Sequence, residues 1–365
     1  MDNYKRYTIG LISFIIAGVV FILASCYYLQ PVVGDTTRLS GYSENDFGWN
    51  VPQMTFVQAV NPLQNEYSTY SDMLVVGDSF SFGGVLGMMN YPWQTFVTAN
   101  TGLSVATISH YITKTVPPSY DPSLIPSIVN SEYFLKAPPK VFVLEIVERQ
   151  LNLLPNVSGD CKLHNRIHKN WNILPLPKPT MVPTKAISRS FERQSLRKQI
   201  EFTVKFWETY LSFNRGDNPA YLFSLVNSRL FSNKRSDALL VYEGDMDKRK
   251  WDDKVIEDVK CKLINMQNMV QSNGVTHFVI MIAPDKLTVY SPFLADSSLE
   301  SISPIARLAA DTSLNILRLD IPLQTAVKEG NIDVYLPNDT HWASKGQQVA
   351  AETLINYISN SSNHN

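Results

Sequence analysis

Four short apolar runs, many of their residues β-branched, at residues 73–76, 141–147, 277–282 and 315–319, limit what this chain can fold into. Each is nearly continuous instead of alternating apolar with polar, which is the pattern of a strand buried on both faces. Helical periodicity falls at 252–272 and again at 345–358. Strands interleaved with helices argue for a parallel sheet flanked by helices, an α/β fold. With 365 residues, 44% hydrophobic and 18% charged, the chain can bury such a core. Its formal net charge of −1 lacks the basic field that gathers phosphates, so no nucleic-acid partner is expected.

The N-terminus places that fold. Lys5 and Arg6 precede an uncharged, mostly apolar run over residues 7–29, and the next charges are Asp35 and Arg38. About 20 apolar residues match the hydrocarbon thickness of a bilayer, and basic residues ahead of the run keep the N-terminus inside. Residues 1–29 therefore read as a membrane anchor. A second reading takes Leu23-Ala24-Ser25-Cys26 as a lipobox, with Cys26 acylated after cleavage. The run exceeds the roughly 7–15 apolar residues of a cleaved signal, which favours the uncleaved anchor. Either way the remainder lies outside the cytoplasm and tethered to a membrane, on the periplasmic side of the inner membrane in a Gram-negative cell. In an oxidising compartment Cys161 and Cys261 are either a disulfide or two buried thiols.

Residues 30–70, rich in Asn, Ser, Gly, Gln and Pro, read as a spacer, and residues 71–360 as one domain with an insertion at about 155–250. The first half of that insertion is basic, from Lys162 through Arg166, Lys169, Lys178, Lys185, Arg189, Arg193 and Arg197 to Lys198. It is either a solvated face or a groove for an acidic glycan.

Two constellations carry chemistry. In Leu74-Val75-Val76-Gly77-Asp78-Ser79-Phe80 a buried strand runs into Gly-Asp-Ser, and the carboxyl end of a parallel strand is where α/β sheets bind ligands. Near the other end, Asn338-Asp339-Thr340-His341-Trp342 precedes the last helix. An imidazole there can serve as the base that a serine hydroxyl needs to become a nucleophile. A carboxylate two residues before it can fix the imidazole's tautomer. Each signal alone has an ordinary explanation: Gly-Asp-Ser is common in turns, a solitary His is commonly a cap or a packed surface group, and Trp342 is commonly core. Together, Ser79, His341 and Asp339 read as a triad. The six histidines include one i, i+4 pair, His164 and His168, without carboxylates at helical spacing, so no metal and no other cofactor is expected.

Gly-Asp-Ser-Phe near the start and Asp-x-His-Trp near the end resemble the SGNH (GDSL-like) hydrolase superfamily, and more narrowly its alginate O-acetyltransferase branch of the AlgX and AlgJ type. Three further stretches carry the narrower resemblance: Leu144-Glu145-Ile146-Val147-Glu148-Arg149, Ala283-Pro284-Asp285-Lys286-Leu287-Thr288-Val289-Tyr290, and the run from Leu319-Asp320 to Gly346. Two departures stand out. In the alginate branch the Asp-x-His segment precedes the serine segment, so this chain looks permuted back to the ordinary superfamily order. A Gly-x-Asn-Asp block is also absent after residues 141–147, where Glu148-Arg149 stands instead.

The resemblance implies a membrane-anchored O-acetyltransferase working through an acetyl-serine, a polysaccharide acceptor, and a multi-pass membrane acyltransferase as the donor partner. An acetyl esterase of the same fold and a non-catalytic glycan-binding scaffold in an export complex are the alternatives. The Ser79 N–H is the first candidate oxyanion donor, a second is expected from the loop after residues 105–108, where Ser109 and His110 sit, and Arg149 is a candidate for charge or substrate contact that is equally readable as a structural ion pair. Lys286 and Tyr290 are candidates for lining the acceptor groove, or else are loop surface, and Trp342 is a further candidate for oxyanion or substrate contact.

Overall fold

The computed structural model describes residues 2–29, 34–56, 63–82, 93–109, 123–163, 184–187, 196–212, 219–227, 229–299 and 303–360. A six-stranded parallel sheet lies at its centre. In chain order its strands are β1 (Leu63–Gln64), β2 (Met73–Gly77), β3 (Val105–Ser109), β4 (Val141–Val147), β5 (His277–Ala283) and β6 (Ile316–Arg318). In space they run β6-β5-β4-β2-β3-β1. Two antiparallel pairs stand apart from this sheet, Gln53–Phe56 with Thr184–Ile187 and Ala220–Ser224 with Ala238–Tyr242.

Each central strand feeds both faces, because successive side chains point to opposite sides. Met73, Val75, Val141, Val143, Val279 and Met281 join one core, shared with Trp93, Phe96 and the terminal helix Ser344–Asn360. Leu74, Val76, Phe142, Leu144, Phe278 and Ile280 join the other, covered by helix Asp253–Gln271. That helix starts where Asp252 caps it by accepting the Val255 N–H at 2.9 Å. It presents Ile256, Val259, Leu263, Met266 and Val270 to the sheet at helical spacing. The parallel α/β sheet flanked by helices expected above is what the structure shows.

The chain leaves β2 for β3 on one side, then returns across β2 to form β4 on the other. The crevice beyond the carboxyl ends of β2 and β4 is thus a topological switch point, the place where open α/β sheets take ligands. Ser79 follows β2 and Glu148-Arg149 follow β4, so the ends of these strands deliver both segments to that crevice.

Helix Asp2–Leu29 is long and apolar enough to cross a membrane, with a mean hydropathy of 2.7 over its best window. Its last turns touch helix Leu196–Ser212, where Phe21 and Trp207 ring centroids lie 5.3 Å apart and Cys26 Sγ sits 3.0 Å from Thr203 Oγ1. Two boundaries differ from the sequence reading. Residues 34–56 of the expected spacer are folded onto the domain, with helices Asp35–Ser40 and Glu44–Phe47, and β1 extends the sheet. The expected insertion ends earlier than 250, because Leu239 and Val241 pack in the main core and Asp245 and Lys248 are buried in an ionic cluster. Its basic residues Arg166, Lys169, Lys178, Arg189 and Arg193 lie outside the described residues.

Cys161 and Cys261 form a disulfide that spans 100 residues of chain and ties the start of the insertion to helix Asp253–Gln271. Cross-linking so long a loop removes much freedom from the unfolded chain. Its reduction is therefore expected to lower stability by roughly 2–5 kcal/mol. A urea midpoint that falls in dithiothreitol checks this; an unchanged midpoint contradicts it.

Candidate active site

Gly77-Asp78-Ser79 turns sharply because each residue is used by its neighbours. Gly77 has no room for a side chain: a Cβ there would lie 2.2 Å from Ser81 Oγ and 2.9 Å from Glu145 Oε2. The Asp78 carboxylate accepts the Phe80 N–H at 2.9 Å, which forms the turn, and the Val147 N–H at 2.8 Å, which ties it to β4. Glu145 accepts the Asp78 N–H at 3.0 Å and the Ser81 hydroxyl at 2.7 Å. Burial first, then the Asp78 charge, push Glu145 well above the ordinary carboxyl range. This packing leaves Ser79 half-buried at the mouth of the crevice.

The second half of the site is a tight loop closed by a bridge between Tyr335 and Trp342. Leu336 N–H donates to His341 O at 3.0 Å and Ala343 N–H to Val334 O at 3.0 Å. Gly346 lets the terminal helix start against this loop, since a Cβ there would lie 2.3 Å from Val334 O. Inside the loop the Lys286 ammonium donates to three carbonyls, those of Leu336 at 2.8 Å, Pro337 at 2.9 Å and Asp339 at 3.2 Å.

These two halves meet. His341 Nε2 lies 2.7 Å from Ser79 Oγ, although 262 residues separate them in the chain. On its other edge, His341 Nδ1 lies 2.5 Å from Asp339 Oδ1, and that same oxygen accepts the His341 backbone N–H at 3.0 Å. Phe80 backs the imidazole with ring centroids 4.8 Å apart. Burial alone would push the imidazole down, but Asp339 and then Asp35 outweigh it and raise His341 above its ordinary value. Burial likewise works against the Asp339 carboxylate, yet the His341 ring and the N–H donors of Asp35 and His341 hold it at about 2.

Asp35, Asp339 and His341 bring three potential ligand atoms within 4.8 Å. Nδ1 is already engaged by Asp339 and Nε2 by Ser79, so the set suits a proton relay better than a cation.

The remaining sequence candidates fare differently. Ser109 ends β3 beside Gly77, its partner in the parallel register, and is half-buried near the crevice. His110 lies outside the described residues. Arg149 is held by Asp285 at 2.6 Å and Asp245 at 3.4 Å and stacks over Tyr242 at 5.4 Å, which is its structural reading. Lys248 and Glu148 complete that buried cluster. Lys286, Tyr290 and Trp342 are fully buried among the described residues, neither exposed on a loop surface nor open to a groove there. Lys286 and Tyr290 meet the loop from beneath, and Trp342, itself a loop residue, packs into the core. The Tyr290 oxygen accepts the Tyr335 N–H at 3.3 Å, and Trp342 packs against Phe80 at 4.8 Å.

The unexpected member of the site is Asp35. It sits six residues beyond the apolar helix, and nothing in the sequence distinguishes it from any other acid after an anchor.

Residues 239–365 are similar to the SGNH hydrolase-like domain of acetyltransferase AlgX. This bears out the resemblance to the AlgX branch and speaks for acetyltransferase-type chemistry. The match includes Asp339 and His341 but not Ser79, so it does not reach the order of the two segments. No curated protein and no solved structure matches the chain.

Proposed function

We propose that this chain is a serine-dependent O-acetyltransferase that works outside the cytoplasm and moves acetyl onto a polysaccharide hydroxyl. The observation that supports this most is the continuous relay from Ser79 Oγ through His341 to Asp339, at 2.7 and 2.5 Å. His341 Nε2 takes the Ser79 proton as Oγ attacks the acetyl carbonyl of the donor. The imidazolium, stabilised by Asp339, then gives that proton to the departing group, leaving an acetyl ester on Ser79. A sugar hydroxyl next gives its proton to the neutral His341 and attacks the ester carbonyl; collapse returns the proton to Ser79 Oγ and releases the acetylated sugar. The Ser79 backbone N–H stands at the start of helix Ser79–Phe82, where it can face the oxyanion of both steps. The resemblance to the AlgX branch supports a donor handed across the membrane by a multi-pass acyltransferase, and the apolar N-terminal helix agrees with a tether that keeps the domain at that exit.

An acetyl esterase uses the same relay with water as the second nucleophile. The test is to incubate the full chain in detergent with an activated acetyl ester, with and without polysaccharides of neutral and acidic type. Acetyl appearing on the glycan at the expense of free acetate is the expected result. Acetate release that no glycan alters makes the protein an esterase, and no turnover in either arm makes it a scaffold.

A further inference from the structure

Asp35 is bound to the relay through both its backbone and its side chain. Its N–H donates to Asp339 Oδ2 at 3.0 Å, on the carboxylate oxygen that His341 does not use. Its carboxylate accepts the Thr340 N–H at 2.8 Å and the Thr340 hydroxyl at 2.5 Å, which fixes the peptide between Asp339 and His341. One of its oxygens then stands 3.7 Å from His341 Nδ1. The flanking segment holds the same loop: the Thr37 N–H donates to Asn338 O at 3.3 Å, and Asn338 Nδ2 donates to Glu44 Oε2 at 2.8 Å.

We propose that Asp35 is a positioning residue for the Ser79–His341–Asp339 relay, so that the first residues beyond the apolar helix complete the site and add a second negative charge behind the imidazole. The inference rests on the reading of this site as a serine acyl-transfer centre. Six residues of extended chain span at most about 20 Å, so Asp35 and the loop it holds lie within that reach of the end of the apolar helix.

Other charged or titratable groups also face Asp35. Burial first, then the charge of Asp339, push the Asp35 carboxyl above its ordinary range, while His341 and the two Thr340 donors favour the ionised form; Arg149, Lys286 and Tyr242 also feel its charge from other elements. A carboxylate this close to an imidazole favours the protonated ring. The base must be neutral to act, so the charge of Asp35 moves the acidic limb of activity to higher pH, and its removal moves that limb down. Asp35→Asn keeps the shape, the backbone N–H and an oxygen for the Thr340 N–H; it loses the charge and puts an NH2 where an oxygen accepted the Thr340 hydroxyl, which must turn to accept instead.

The test is the imidazole titration of His341 by NMR on the full chain in detergent, assigned with His341→Gln, together with the pH profile of 4-nitrophenyl acetate turnover. In Asp35→Asn the imidazole pKa and the acidic limb are expected to fall by about one unit, with Asp35→Glu close to wild type. Should the Asn variant not fold, Asp35→Ser removes the charge with the same backbone donor. An unchanged imidazole pKa in a folded uncharged variant overturns the inference, even where turnover is normal. A shifted pKa without Ser79-dependent turnover upholds the inference and removes the acyl-transfer reading instead.

Discussion

Replacing Ser79 by alanine is expected to lower acetyl transfer by about 10⁴-fold or more while leaving the melting midpoint nearly unchanged. The two effects separate because of where the hydroxyl sits. Ser79 is half-buried, and the partner of its hydroxyl is His341 Nε2 at 2.7 Å, so alanine removes the attacking atom and little packing. Losing one hydrogen bond at the mouth of the crevice, where water can take the place of the hydroxyl, costs about 0.5–1 kcal/mol. Activity of the purified full chain toward an activated acetyl ester, measured beside its thermal unfolding, checks both. A variant that keeps more than a tenth of the rate contradicts the role given to Ser79.

The second large effect is expected at a residue that never meets substrate. Lys286 is fully buried and its ammonium is the shared donor for the Leu336, Pro337 and Asp339 carbonyls, which form the inner side of the loop that aims His341. Burial lowers its pKa to about 8, a cost the fold accepts for a cation that satisfies three acceptors at once. Lys286→Met keeps the volume and strands those acceptors, and each unpaired buried polar group costs about 1–3 kcal/mol. With some relaxation, a loss of about 2–4 kcal/mol of stability is expected in urea unfolding. Acetyl transfer is expected to fall about 100-fold in the folded fraction, since a misplacement near 1 Å is enough for that. A variant with wild-type kcat and a lowered urea midpoint would confine Lys286 to stability and contradict its part in aiming the base.

The parts of this site that were legible in the sequence share one property: their role follows from position along a single element. A continuous apolar strand ending in Gly77-Asp78-Ser79 announces the crevice end of a parallel sheet, and Asp339-x-His341 before a terminal helix announces a base with its carboxylate. Lys286 and Tyr290 were legible as a motif but not in direction, because local spacing does not say whether a side chain after β5 rises into the crevice or dives under the neighbouring loop. Glu148 and Arg149 were visible as a departure from the superfamily block. Their use in a buried cluster with Asp245, Lys248 and Asp285 depends on residues about 100 to 140 positions away. Asp35 was the least legible of all. Its partners Asp339 and Thr340 lie 304 and 305 residues along the chain, and its surroundings are polar enough to read as a spacer. β1, with two residues, is too short to leave a hydrophobic pattern.

Mass spectrometry can catch the covalent ester on Ser79 through which the acetyl group is proposed to pass. The full chain is exposed to an activated acetyl ester, quenched in acid and digested. One added acetyl is expected on the peptide containing Ser79, absent in Ser79→Ala and strongly diminished in His341→Gln. Turnover of the ester with that peptide unmodified at every quench time, or with equal labelling in His341→Gln, would contradict it.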